Sequence, residues 1–175
     1  YQARLGHHVF LLTLTKGGAT RMRHKLELSV EEMGELRYKE MLDVAETLGL
    51  ADMTVLDLPD SGLKEMDPEE IERAIEGHII KLTPDVIVTY PVHGISGFHD
   101  HLITHYAVKK AFCKLRNEEW GPKRLAFHTI TEEAAEKAEL FHLNGSAPEE
   151  IDCVLTVEDE DIETGKKSLD CYVTY

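Results

Sequence analysis

The chain has 175 residues, 42% hydrophobic and 30% charged, enough for one domain with a real core. Its 19 basic and 33 acidic residues give a formal net charge of -14. That acid excess excludes a non-specific nucleic-acid binder and a polybasic membrane anchor, since both need a basic face.

Tyr1 to Gly6 reads as the last turn of a helix closed by a glycine. The apolar, β-branched run His8 to Thr15 reads as a buried strand, and Lys16 to Thr20 as a loop. A helix feeding a strand is the second half of a βαβ unit, so a first strand is expected upstream of Tyr1. Ser29 caps a long helix with Glu31 and Glu32 in its first turn, where the helix dipole favours acids, and Gly49 ends it. Glu40 on that helix is expected to pair with a Lys or Arg of the same helix. Thr54 to Leu58 is a short strand, and Pro59 to Gly62 a turn in which Asp60 is a turn-former. Asp67 caps a helix with Pro68 at its first position, running to about Leu82.

The strand Val86 to Tyr90 leads into a Gly- and His-rich loop, Pro91 to Asp100, and a helix from His101 to about Arg116. Arg124 to Ile130 and Asp152 to Val157 read as further strands, and Asp161 to Tyr175 as a closing helix that stops without a cap. Strand and helix alternate throughout. The expected fold is therefore α/β, three-layer and Rossmann-like, with a mainly parallel sheet covered by helices on both faces. In such sheets ligands sit beyond the carboxyl ends of the strands, which directs attention to the loops after Thr15, Leu58 and Tyr90. Three cysteines with no CxxC pair read as reduced thiols of a cytoplasmic protein, and no apolar run is long enough to span a membrane.

The loop after Tyr90 carries the densest chemistry. Four of the ten histidines, His93, His99, His101 and His105, fall within thirteen residues, together with Asp100. Imidazole and carboxylate suit zinc and similar divalent ions. His101 and His105 share a helix face, and Asp100 could orient a ligating ring. The same residues also fit an ordinary helix start, with Asp100 as its cap. His105 is expected to be a helix-surface or packing histidine rather than a fourth ligand.

The run Gly94 to His101 (GISGFHDH), after the strand Val86 to Tyr90, resembles the LmbE/PIG-L family of metal-dependent deacetylases, whose loop carries H-P-D-H. Leu14-Thr15-Lys16-Gly17 is similar to the family's T-x-G turn. Arg37 to Glu40 with Leu48-Gly49 is similar to its R-x-x-E…L-G helix, and Leu58 to Gly62 to its acidic turn. The resemblance implies removal of an acetyl group from an N-acetylated amino-sugar conjugate of N-acetylglucosamine type, with Zn2+ or another divalent metal as cofactor. It implies His101 as a metal ligand, His99 and Asp100 as catalytic residues, and Arg37 as a substrate-binding residue.

Two departures accompany it. The family's A-H-P-D-D motif, which supplies two further ligands and a general base, does not occur here. Residues 1–175 are therefore expected to be a single LmbE-like domain lacking its first strand, and the uncapped end suggests a clipped C-terminus as well. Phe98 stands where the family has its first histidine, and His99 takes the proline position. The alternative is a non-catalytic, LmbE-like sugar-binding protein, and the bland reading a Rossmann-like protein without metal. The expected partner is a small-molecule sugar conjugate, with no nucleic acid and no membrane anchor; a homo-oligomer stays open.

Overall fold

The computed structural model describes residues 1–139 and 142–174. In chain order the elements are β1 (Phe10–Thr13), α1 (Met22–Lys25), α2 (Val30–Leu48), β2 (Asp52–Val55), a 3-10 turn (Leu63–Glu65), α3 (Pro68–Leu82), β3 (Val86–Thr89), α4 (His99–Leu115), β4 (Arg124–Phe127), α5 (Glu132–Glu136), a second 3-10 turn (Pro148–Glu150) and α6 (Asp159–Asp170). They fall into two compact units. The first holds residues 1–60 and the described residues from Leu155 onward; the second holds Ser61–Val154.

In the first unit β1 pairs with β2 in parallel, Phe10 opposite Asp52 through Thr13 opposite Val55. A parallel neighbour needs a crossover, and α2 supplies it, giving a βαβ unit. The α2 ends follow local chemistry. The Ser29 side chain accepts from Glu32 N–H at 3.1 Å while Glu32 accepts from Ser29 N–H at 2.9 Å, a complete capping box. Gly49 closes the helix in the left-handed region at φ 65°. Hydrogen bonding from Ser29 to the Glu32 carboxylate, by the backbone N–H first and then by the side chain, holds that carboxyl below its ordinary pKa.

Glu40 corrects an expectation. It is only 5% exposed, and it accepts from Val173 N–H at 3.0 Å and from the Thr174 hydroxyl at 2.6 Å rather than pairing along its helix. A buried carboxylate needs donors, and the chain end brings two. The opening turn is tied to α6 in the same unit. Arg4 donates Nε–H to Asp161 Oδ1 at 2.9 Å and an Nη2 hydrogen to Oδ2 at 2.8 Å.

In the second unit β3 pairs with β4 in parallel, Val86 opposite Arg124 through Thr89 opposite Phe127, with α4 as the crossover. Asp67 caps α3, accepting from Glu69 N–H at 3.0 Å, with Pro68 at the first turn. Along α3 the buried positions Ile71, Ile75 and Ile79 recur every fourth residue, and α3 packs against α4, which buries Ala107, Val108, Ala111, Phe112 and Leu115. Lys110–Glu72 at 2.8 Å and Lys114–Glu76 at 2.7 Å link the two helices at their rim.

The structure is thus a mixed α/β chain with short parallel strand pairs. Several bounds differ from expectation: β1 is Phe10–Thr13 rather than His8 to Thr15, β2 is Asp52–Val55 rather than Thr54 to Leu58, β3 ends at Thr89 rather than Tyr90, and β4 ends at Phe127 rather than Ile130. Residues 152–157 form no strand, because alternation of apolar residues makes a strand only where a partner ladder exists, and none meets them among the described residues. The closing helix runs from Asp159 to Asp170, and Tyr175 lies outside the described residues. Finally, α4 begins at His99, two residues earlier than expected, because Phe98 is the extended N-cap.

Candidate active site

The carboxyl end of β3 runs into Tyr90 and the loop 91–98, and α4 starts directly after it. His101, in the first turn of α4, folds back over this loop. Its ring stacks on Tyr90 with centroids 4.1 Å apart and planes 11° from parallel. Its Nδ1 lies 3.0 Å from the Gly94 carbonyl oxygen and 2.8 Å from Ser96 Oγ. A carbonyl can only accept, so Nδ1 carries the proton and shares it between these two oxygens. In the neutral ring this leaves Nε2 as a bare lone pair. That is the state a metal-ligating imidazole takes when a backbone carbonyl holds its other nitrogen.

Gly94 is glycine for two reasons. Its φ is +64°, and a Cβ there would sit 3.0 Å from His101 Cβ and 3.1 Å from Leu102 Cδ2. The loop can therefore press its carbonyl against His101 only without a side chain at this position.

Asp100 does not cap α4. Its Oδ2 accepts from Ser61 N–H at 2.7 Å, while Oδ1 is buried and has no partner among the described residues. A buried carboxylate oxygen with nothing to bind is costly unless something else occupies it. His99 is the first residue of α4; it is exposed, and its side chain makes no hydrogen bond or ion pair among the described residues. Phe98 is 62% exposed, its ring centroid 5.8 Å from that of His101. His105 is a packing residue: Nδ1–H donates to the Tyr90 carbonyl at 2.8 Å, and the ring lies 4.9 Å from that of Phe127.

His99, Asp100 and His101 thus share one helix start. Arg37 lies in the other unit, where it donates to the Gly17 carbonyl at 3.2 Å and, through Nε, to the Thr174 hydroxyl at 3.3 Å. Asp60, also in that unit, accepts from the Thr15 hydroxyl at 3.0 Å and from Ala19 N–H at 2.6 Å, so it shapes the loop after β1 as well as its own turn.

Sequence reasoning missed Ser61 as the anchor of Asp100 and Tyr90 as the stacking partner of His101. An aromatic residue closing the strand before a histidine loop was the available signal for the second. For a divalent metal the fit is partial. His101 Nε2 suits one ligand position, and no group of three or more His, Cys, Asp or Glu side chains that could hold an ion occurs among the described residues.

The PIG-L family, described as GlcNAc-PI de-N-acetylase, matches residues 1–112, a stretch that ends within α4 and includes the whole loop 91–98. The chain is 30% identical over 127 residues to a 1D-myo-inositol 2-acetamido-2-deoxy-alpha-D-glucopyranoside deacetylase of Thermomonospora curvata, covering 61% of this chain and 43% of that protein. It is 28% identical over 112 residues to the N-acetylglucosaminyl-phosphatidylinositol de-N-acetylase of Bos taurus, covering 61% of this chain and 40% of that one. The chain spans about half the length of the curated relatives it matches. Among solved structures, the 4-carboxy-2-hydroxymuconate hydratase GalB of Pseudomonas putida shares the fold, with a TM-score of 0.70 at 14% identity over 98% of this chain and 69% of that one. With the family pattern running through the first 112 residues, the chain belongs to the PIG-L, or LmbE-like, family.

Proposed function

We propose that the protein is a metal-dependent hydrolase that removes the acetyl group from an N-acetylglucosamine-type conjugate. Residues 1–175 are read as one LmbE-like domain, three-layered and Rossmann-like. The observation that carries this reading is the placement of His101 Nδ1, 3.0 Å from the Gly94 carbonyl oxygen and 2.8 Å from Ser96 Oγ, which leaves Nε2 to bind. Family membership and relatives that deacetylate amino-sugar conjugates support it.

The reaction adds water across the acetamide: the carbonyl carbon gains a hydroxyl, the C–N bond breaks, and acetate and a protonatable amine leave. Zinc or another divalent ion would be held in part by His101 and would supply a Lewis acid that makes a water more acidic. The chain's own residues supply the rest. His101, wedged between Tyr90 and its two oxygen partners, keeps its lone pair in one direction. Asp100, anchored through Oδ2 by Ser61 N–H, has Oδ1 unspent and can take up or hold a proton there. His99, unengaged at the helix start, can donate an N–H to the oxyanion that forms on the carbonyl. Arg37 is assigned to substrate binding, by way of the Gly17 loop it braces. All three cysteines are free thiols, which suits a cytoplasmic protein acting on a small soluble conjugate.

The second reading, a sugar-binding protein without chemistry, is favoured by one residue: exposed, apolar Phe98 stands where the resemblance places a histidine. Acetate release decides between them. The protein encoded by the complete reading frame that contains this chain should release acetate from N-acetylglucosamine conjugates when zinc is added, and His101→Ala should abolish it. Zinc binding without acetate or free amine over a panel of N-acetyl sugars would leave the binding protein.

A further inference from the structure

The turn that holds His101 is itself under strain. Ser96 N–H donates to the Gly94 carbonyl at 2.7 Å, closing a three-residue turn centred on Ile95, whose φ is +59°. Positive φ is the unfavourable hand of such a turn, and a β-branched residue tolerates it worst. A conformation of this kind persists only where its surroundings over-determine it.

Both backbone groups of Ile95 are clamped. Its N–H donates to His93 Nδ1 at 3.2 Å. Its carbonyl accepts twice from Asn144, from the backbone N–H at 2.7 Å and from the side-chain amide at 3.0 Å. Since His93 Nδ1 accepts, the neutral ring carries its proton on Nε2 and donates it to Ser146 Oγ at 3.3 Å. Ser146 is buried, and its hydroxyl pairs with that of Thr129 at 2.8 Å. The backbone of Ser146 is fixed in turn: its N–H donates to Ile130 at 2.8 Å and its carbonyl accepts from Glu132 at 3.2 Å. The turn is thus tied to a frame that owes nothing to His101.

This geometry excludes a nucleophilic role for Ser146. A histidine that donates to a hydroxyl cannot take its proton. What the network can do is hold Ile95 in place, and with it the Gly94 carbonyl and Ser96 hydroxyl that receive the His101 proton.

We propose that His93, together with Ser146 and Asn144, is a positioning clamp that keeps the Gly94–Ser96 turn in its strained form and thereby fixes which nitrogen of His101 carries the proton. Its consequence for activity rests on the proposed role of His101; the clamp itself does not.

Long-range 15N–1H NMR of the protein at about pH 8.5, where an ordinary imidazole is neutral, reads the tautomer directly. The His101 signals are identified by their loss in His101→Gln. In the wild type, His101 should be protonated at Nδ1. His93→Leu removes both clamp bonds and should turn His101 into a mixture of tautomers; Ser146→Ala should shift it the same way by less. His93→Asn should restore the wild-type pattern, because a side-chain amide oxygen reaches the N–H two residues on as His93 Nδ1 does. If His93→Leu does not fold, Ser146→Ala decides. A wild type protonated at Nε2, or folded variants with an unchanged His101, would overturn the clamp.

In acetate-release assays the His93→Leu loss should fall on kcat, by about 10–100-fold with KM little changed, and His93→Asn should recover it. A tautomer shift without loss of activity would uphold the clamp and remove His101 from the proposed mechanism. A loss of activity with the tautomer intact would overturn the clamp alone.

Discussion

His101 and His105 stand one helical turn apart, and each donates Nδ1–H to a backbone carbonyl, yet they serve different ends. His105 ties the Tyr90 carbonyl to α4 and packs against Phe127, so its ring is spent on holding β3 to the helix. His105→Ala should therefore cost stability, about 0.5–1.5 kcal/mol for the lost hydrogen bond, and spare most of the activity. Urea unfolding beside acetate release checks this; a stable variant without activity would assign His105 to the chemistry. The H-D-H pattern made both imidazoles visible in the sequence. It could not tell them apart, because the difference lies in which carbonyl each meets, and those depend on the left-handed Ile95 and on Gly94 pressed against α4. Asp100 was visible in the same pattern, and its anchor on Ser61, 39 positions away, was not.

Among the elements, α2 and α3 were readable to within a residue because their ends are set locally, by Ser29 and Gly49 and by Asp67 and Pro68. Segment 152–157 was misread because strand formation depends on a distant partner. Glu40 was misread in the same way: its partner Thr174, which also meets Arg37, lies 134 positions along the chain. The contact of the opening turn with α6 was also invisible, although it is strongly electrostatic. The Arg4 side chain, by hydrogen bonding first and by charge, holds the Asp161 carboxyl far below the ordinary carboxylate range. A carboxyl depressed in the folded state stabilises fully above its unfolded pKa, about 4, and the contribution is lost as pH falls through the folded value. Asp161→Asn should therefore lower the urea midpoint at pH near 7, with the gap to wild type narrowing only below about pH 4. A gap that stays constant into strong acid would show that the charge pair does not carry the contact.

Over the whole molecule, the α/β alternation and the family resemblance were legible because both rest on pattern and order rather than on fine geometry. GalB, a hydratase sharing the fold at 14% identity, shows why that is not enough to assign chemistry. Function has to be argued from the site. Here the candidate site offers one imidazole whose Nδ1 faces a backbone carbonyl, one carboxylate with a buried oxygen unspent among the described residues, and one exposed histidine beside them. The central claim is that His101 Nε2 binds the metal. Calorimetric zinc titration of the protein from the complete reading frame, compared with its His101→Ala variant, tests this most directly. The account predicts that the variant binds zinc at least about 100-fold more weakly, since a lost ligand raises the dissociation constant steeply. Equal affinities in the two proteins, or no zinc binding by either, would contradict it.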